Sequence, residues 1–317
     1  MSMIKIAVLD AATLGDDLDL SPLGALGEVI TYTATRPDEV AKRLSDVDVV
    51  LINKVKLNEN NLKDSSVKLI CIAATGFDNV DLEYCRRRGI AVTNVVGYST
   101  DSVCQVTLAM ALYLSTCLKQ YTSYVREGDY IQSGIANRLV PPYHELAGRV
   151  WGIVGLGNIG QKVASVASAL GCKVIAYTRT PKEGYECVGI DELCERADII
   201  SIHTPLNDRT RHLIDQNRLS KMKKTAVLIN VARGNVTDEK AVADAILAGN
   251  IGGFGCDVYS AEPFDENHPY NKILHLDNVC LTPHMAWGSV EARNRLLGEM
   301  FENIKAFYSG RRRNRLD

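Results

Sequence analysis

The amino-acid sequence predicts an α/β protein built from two parallel-sheet domains. Three observations carry that reading. Short β-branched runs alternate with helical stretches through the first hundred residues, the pattern of a parallel sheet with crossover helices. The alternation restarts at Val150, where an apolar run ends in three glycines spaced G-x-G-x-x-G. The length, 317 residues, is large for a single core, so two domains are the better division.

In the first third, residues 4–9, 29–32, 47–52, 69–73 and 90–93 read as short strands, with helices over 37–44 and around 84–88. The run Ala73-Ala74-Thr75-Gly76-Phe77-Asp78 directly follows a strand. Small residues there leave backbone N–H groups able to face a ligand, the usual place for ligands in open α/β sheets. A tight strand-to-helix turn explains the same residues equally well. Ser99 or Thr100 then caps a long helix, with Asp101 favourable to its dipole. From Val103 to Leu118 this helix is apolar nearly all round, so it must be covered on several sides, by its own domain and by a second subunit. Residues 121–145 are polar, contain Pro141-Pro142, and read as an arm or interface element.

The second alternation opens with Val150-Trp151-Gly152-Ile153-Val154-Gly155-Leu156-Gly157-Asn158-Ile159-Gly160. Ile159, Val163, Ala167 and Leu170 then share one helical face, and Gly171 sits where a helix ends. Strand, glycine turn and helix form the context in which this motif binds a dinucleotide. Gly155 permits the tight turn, Gly157 the approach of a pyrophosphate, and Gly160 close packing of helix on strand. Further strands are expected at 173–177, 198–202, 227–230, 252–257 and 279–282, and a helix over 238–248 closed by Gly249. Ser289 caps a last amphipathic helix whose stripe is Val290, Leu297, Met300, Phe301, Ile304 and Phe307, ending at Gly310. Arg311, Arg312, Arg313 and Arg315 follow it and read as a solvated tail.

NAD-binding units of this kind end the second strand on an acid that holds the ribose 2′-hydroxyl. Here the position is Thr178, followed by Arg179. A hydroxyl and a guanidinium suit a 2′-phosphate, so NADP is favoured over NAD. Three later strand ends carry ionisable groups beside small residues: Asn230-Val231-Ala232-Arg233-Gly234, Asp257 through Glu262-Pro263, and Thr282-Pro283-His284-Met285-Ala286-Trp287. Together they supply an arginine, a carboxylate and a histidine, the set that reduction of a 2-oxo acid needs. His203, followed by Thr204 and Pro205, lacks a paired acid and reads as rim or packing near the nucleotide.

Composition excludes other classes. A net charge of −2 gives no electrostatic footprint for nucleic acid. No apolar segment reaches the roughly 18 residues of a membrane span, and the N-terminal apolar run is too short for a signal peptide. Nine cysteines include no C-x-x-C pair, and Cys71, Cys104, Cys117, Cys256 and Cys280 lie in apolar runs. They fit core positions in a reducing, cytoplasmic compartment, with no metal site.

These motifs, in this order and spacing, resemble the D-isomer-specific 2-hydroxyacid dehydrogenases over essentially the whole chain. Gly97 to Val103 and His284-Met285-Ala286-Trp287 are most similar to the glycerate dehydrogenase and hydroxypyruvate reductase branch. The resemblance implies two Rossmann-like domains. One is a discontinuous, flavodoxin-like substrate domain, 1–100 with 285–317. The other is a dinucleotide domain, 101–284, whose helix and arm at 101–148 build a homodimer. It implies that Arg233 holds the substrate carboxylate, that His284 donates a proton to the ketone oxygen, and that Glu262 raises the histidine's pKa. Cofactor contacts are implied at Gly155, Leu156, Gly157, Asn158, Ile159, Gly160, Thr178, Arg179, Thr204, Pro205, Val231, Ala232, Arg233, Asp257 (to the nicotinamide amide) and His284. Substrate contacts are implied at Ala74, Thr75, Gly76, Arg233, His284 and Trp287. The active site is implied to lie in the cleft between the domains. A reductase of D-lactate type or of branched 2-oxo acids is the second reading within the family. A corepressor-like, nucleotide-sensing binding protein is the reading outside catalysis.

Overall fold

In the computed structural model, which describes residues 3–317, the chain divides into two compact units. One extends through Ser99 and takes up Gly288–Asp317; the other is Thr100–Trp287. The first contains β1 (Lys5–Val8), β2 (Glu28–Thr31), β3 (Val49–Ile52), β4 (Leu69–Ile72) and β5 (Ala91–Thr93). They pair in parallel in the order β2-β1-β3-β4-β5, the flavodoxin-like order. Every residue of β3 and β4 is buried, so each strand is a continuous apolar run without alternation. Ile52, Leu62, Ile70, Tyr84 and Val92 share one core.

The arginine-rich segment after the last helix corrects the expectation of a solvated tail. It folds back on β5: Leu316 N donates to Val92 O at 2.9 Å and Asn94 N to Asn314 O at 3.3 Å. Val92 N donates to the Asp317 carboxylate at 2.9 Å, and Arg315 pairs with that same group. Arg313 bonds Glu299 at 2.7 Å. An edge strand with open backbone groups is thereby covered. The partners lie on other elements, so the run looked unpaired in sequence. The Val290–Tyr308 helix buries Ala292, Leu296, Leu297, Met300, Asn303, Ile304 and Ala306. Of the expected stripe, Val290 is instead exposed. Asn303, 1% exposed, bonds Asn94 O, Arg313 and Asn314.

The second unit holds β6 (Val150–Val154), β7 (Lys173–Tyr177), β8 (Glu186–Cys187), β9 (Ile199–Ile202), β10 (Val227–Asn230), β11 (Gly253–Cys256) and β12 (Val279–Leu281). The order is β12-β11-β10-β9-β6-β7-β8. Counted from β6 this is 3-2-1-4-5-6 with a seventh strand added, the doubly wound arrangement of dinucleotide folds. Side chains alternate across the sheet. Trp151 and Ile153 join the core under the Thr100–Ser115 and Asn158–Ala169 helices, whereas Val154 faces Leu193, Leu219 and Ile246. Gly152 faces that second side too, where a Cβ would sit 2.7 Å from Leu193. Gly255 lets Met110 and Leu114 lie close over β11. Leu170, expected on the buried face after Gly160, is exposed at the helix C-cap. The two-residue β8 is too short to carry a strand pattern.

Residues 285–287, assigned from sequence to the substrate domain, cluster with the second unit. Asp257 binds the Met285 and Ala286 amides, and Ser102 Oγ donates to Ala286 O at 2.6 Å. The arm is partly helical, over Leu118–Arg126 and Asp129–Ser133, and neither helix has a buried residue. No single helix among the described residues is long and apolar enough to cross a membrane.

Candidate active site

The glycine turn is built from three different constraints. Gly155 has φ +98°, and a Cβ there would stand 2.8 Å from the His203 carbonyl and the Thr204 nitrogen. A Cβ on Gly160 would reach 2.0 Å from Gly155 O, so the helix start packs directly on the turn. Gly157 instead faces open space in extended backbone at the N-cap of the Asn158–Ala169 helix. That open side is the cradle a side chain would fill, and with the helix amides it fits a dinucleotide pyrophosphate. At the end of β7, Thr178 is half-buried with its hydroxyl 3.4 Å from Thr180 O, and Arg179 is exposed. At the end of β9, His203 Nε2 bonds Ser201 Oγ at 2.9 Å, which also accepts from Trp151 Nε1 at 2.9 Å. Its Nδ1 is enclosed without a partner among the described residues. Burial pushes the His203 imidazole down to about 3, so the ring is neutral and serves packing. Thr204 and Pro205 follow directly on this strand end.

The second cluster sits on the turns after β10, β11 and β12. These strands are parallel, so their carboxyl ends share one edge of the sheet. After β10, fully buried Asn230 closes the turn. It accepts from Ala232 N at 3.1 Å and donates to Arg233 O at 2.9 Å. Arg233, half-buried, bonds Ala232 O at 2.7 Å. Gly234 lies against the turn after β11: a Cβ would fall 2.1 Å from Tyr259 C and 2.3 Å from Ser260 N.

After β11, Glu262 Oε1 accepts from Tyr259 N at 3.0 Å, and Oε2 stands 2.6 Å from His284 Nδ1. Their side chains are about a quarter exposed, at 26% and 24%. His284 adopts φ +53°, a left-handed conformation uncommon outside glycine that needs support from its surroundings. Asp257 supplies that support. It is 1% exposed and accepts from Thr282 Oγ1 at 2.5 Å and from the Met285 and Ala286 amides at 2.9 Å each. Burial pushes its carboxyl up, against the pull of Thr282 and those amides. Tyr259 OH adds a bond to Thr282 O at 2.8 Å. Asp257, which the resemblance gives as a nicotinamide contact, clamps the histidine turn. The contributions of Gly234 and Tyr259 have no separate sequence signal, since each depends on a partner from another strand end, whereas the Asn230 side chain bonds within its own turn. Trp287 follows in the same segment and is half-buried, packed against the core that contains Val103, Cys104 and Ala286.

In the first unit, Ala74, Thr75 and Gly76 follow β4. Thr75 Oγ1 donates to Val95 O at 2.8 Å, Asn94 Nδ2 donates to Thr75 O at 2.7 Å, and Val95 N donates to Ala74 O at 3.0 Å. The segment is pinned by its carbonyls and hydroxyl, with Thr75 exposed.

Comparison with known proteins agrees with this geometry. The NAD binding domain model of the D-isomer specific 2-hydroxyacid dehydrogenases matches residues 108–286. Glycerate dehydrogenase of Methylorubrum extorquens is 34% identical over 314 residues, 98% of either chain. Hydroxypyruvate reductase of Blautia hydrogenotrophica is 34% identical over 97% of this chain and 98% of its own. The solved D-lactate dehydrogenase of Aquifex aeolicus, complexed with NAD and lactic acid, superposes with a TM-score of 0.85 at 31% identity, over 96% of both chains. The chain belongs to the D-isomer-specific 2-hydroxyacid dehydrogenases, NAD-dependent oxidoreductases.

Proposed function

We propose that the protein reduces a small 2-oxo acid, of the hydroxypyruvate or glyoxylate type, to the D-2-hydroxy acid. The observation that carries this reading is the 2.6 Å contact of Glu262 with His284, on the same sheet edge as Arg233. A reduced nicotinamide, when bound, supplies the hydride. Carbonyl reduction builds negative charge on oxygen, and a guanidinium with an imidazolium places donors where that charge grows. Arg233 grips the substrate carboxylate through its planar fork. His284 commits Nδ1 to Glu262 and delivers its proton from Nε2. The Glu262 carboxylate fixes the ring's orientation, leaving Nε2 to face the substrate.

The cofactor is held by Gly155, Leu156, Gly157, Asn158, Ile159 and Gly160, with Thr204, Pro205, Val231, Ala232 and Asp257 beside them. Thr178 and Arg179 at the end of β7 favour NADP. Residues 101–284, joined by Thr100 and 285–287, form the cofactor domain, and the residues before 100 with 288–317 the substrate domain. Ala74, Thr75, Gly76 and Trp287 contact substrate. The chain works as a homodimer: Leu112, Val125, Ile131, Leu139 and Val140 are 42–83% exposed along the 101–148 helix and arm, an apolar surface that a partner copy would cover. All nine cysteines are free, which supports a reducing, cytoplasmic setting. The half-buried, apolar Trp287 keeps a D-lactate-type or branched substrate as the second reading. Oxidation of NADPH and NADH is measured with hydroxypyruvate, glyoxylate, pyruvate and a branched 2-oxo acid. The highest kcat/KM is expected with one of the first two. Turnover with none of the four would leave a nucleotide-sensing binding protein.

A further inference from the structure

Behind the Glu262 turn lies a second carboxylate–imidazole pair. Glu239 opens the Glu239–Leu247 helix and is 9% exposed; His268 is 8% exposed. The Glu239 carboxylate accepts from Ser260 N at 2.8 Å, Ser260 Oγ at 2.5 Å and His268 Nε2 at 2.9 Å. His268 Nδ1 accepts from Tyr270 N at 3.3 Å, so the ring proton sits on Nε2 and is given to Glu239. Phe264 stacks on the imidazole at 4.6 Å, and Tyr270 meets it edge-on at 4.9 Å.

Burying a carboxylate is costly unless it is fully hydrogen-bonded, and an apolar side chain of similar volume is often no worse for stability. A stability role alone therefore does not call for an acid here. The donors come from both sides of Glu262, Ser260 two residues before it and His268 six after, so one carboxylate gathers both ends of the loop. The loop between them is largely exposed, with residues 260–263 and 265–267 all at the surface. The Ser260 bonds also draw the backbone down onto Gly234, beside Arg233. An exposed loop is thus held at its base, two residues from a side chain that must meet His284 within hydrogen-bond distance.

We infer that Glu239, with Ser260 and His268, is a positioning device for Glu262, acting on the reaction through that residue and touching no substrate. The inference rests on the reading that Glu262 and His284 carry the proton transfer. Glu239→Gln keeps size and one acceptor oxygen but loses the charge that binds three donors; Ser260→Ala, at an exposed position, removes one bond.

Both variants are made in the wild type and in a Glu262→Gln background. kcat and KM are measured for hydroxypyruvate and glyoxylate, with NADH affinity and Tm alongside. Glu239→Gln is expected to lower kcat about tenfold, about 1.4 kcal/mol of transition-state stabilisation, with NADH affinity kept. Ser260→Ala should lower kcat by a smaller factor. In the Glu262→Gln background both losses should disappear, because residues acting as one unit are non-additive. Loss of the same factor in both backgrounds would mark Glu239 as merely structural and overturn the inference, as would an unchanged kcat in both variants. Should Glu239→Gln not fold, Ser260→Ala carries the same cycle. If Glu262→Gln itself leaves kcat untouched, the proton-transfer reading fails and the inference with it. If only the Glu239 and Ser260 variants are silent, the inference fails alone.

Discussion

Two turns in the same sheet solve opposite problems. The turn at Gly155–Gly160 is made of backbone: one positive φ, one open face and one close helix contact, all within six residues. The acid–base cluster is made of side chains from three strand ends, held by Asn230, Glu239, Asp257 and Tyr259. A backbone device is local, so its requirements appear as a spacing of glycines. A side-chain device depends on the fold to bring its members together, so its supports are scattered along the sequence. Gly234 belongs to the second device although it is a glycine, because it admits the backbone of Tyr259 and Ser260.

The same substitution in the two turns separates their roles. Gly234→Ala would put a methyl 2.1 Å from Tyr259 C and must displace the Glu262 loop. Misplacement by about 1 Å costs on the order of 100-fold in rate, so kcat should fall steeply while NADH affinity holds. Gly160→Ala meets Gly155 O at 2.0 Å, and overpacking against backbone costs about 1–3 kcal/mol. There NADH affinity should fall, and saturating cofactor should recover most of kcat. Steady-state kinetics with isothermal titration of NADH checks both; exchanged phenotypes would collapse the comparison.

Beneath the glycine turn, His203 ties the nucleotide unit to acid sensitivity. Burial holds its folded pKa at about 3 against an ordinary 6.5. Between those values the unfolded chain binds a proton that the folded one refuses. Stability from this group is therefore complete above pH 6.5 and is lost as pH falls from 6.5 toward 3. Between pH 7 and pH 5 the loss is about 2 kcal/mol. Urea unfolding at the two pH values should show the advantage of wild type over His203→Gln shrinking by that amount. Parallel curves would contradict it.

The smallest effect concerns cofactor choice. Thr178→Asp restores a carboxylate at the end of β7, which repels a 2′-phosphate. It should move the NADPH-to-NADH ratio of kcat/KM toward NADH by about tenfold, the equivalent of about 1.4 kcal/mol. A wild-type preference for NADH that the substitution leaves alone would remove the argument from Thr178 and Arg179.

The parallel sheets were legible because doubly buried strands such as β3, β4 and β9 leave unbroken apolar runs. The glycine turn and the trio Arg233, Glu262 and His284 were legible through position after such strands. The Glu239–His268 pair was not: an acid at the start of an amphipathic helix looks like an ordinary dipole partner, and the histidine 29 residues away reads as loop. The arginine segment that closes β5 looks unpaired in sequence for the same reason, since Glu299 and the Val92 amide are neighbours only in the fold.

The central claim is that His284, held by Glu262, delivers the proton. Its most direct test is kcat for hydroxypyruvate reduction by His284→Asn at saturating cofactor, with NADH affinity measured on the same preparation. A fall of at least about 100-fold, the scale of a lost general acid, with NADH affinity retained, is predicted. Turnover near the wild-type rate would contradict the claim.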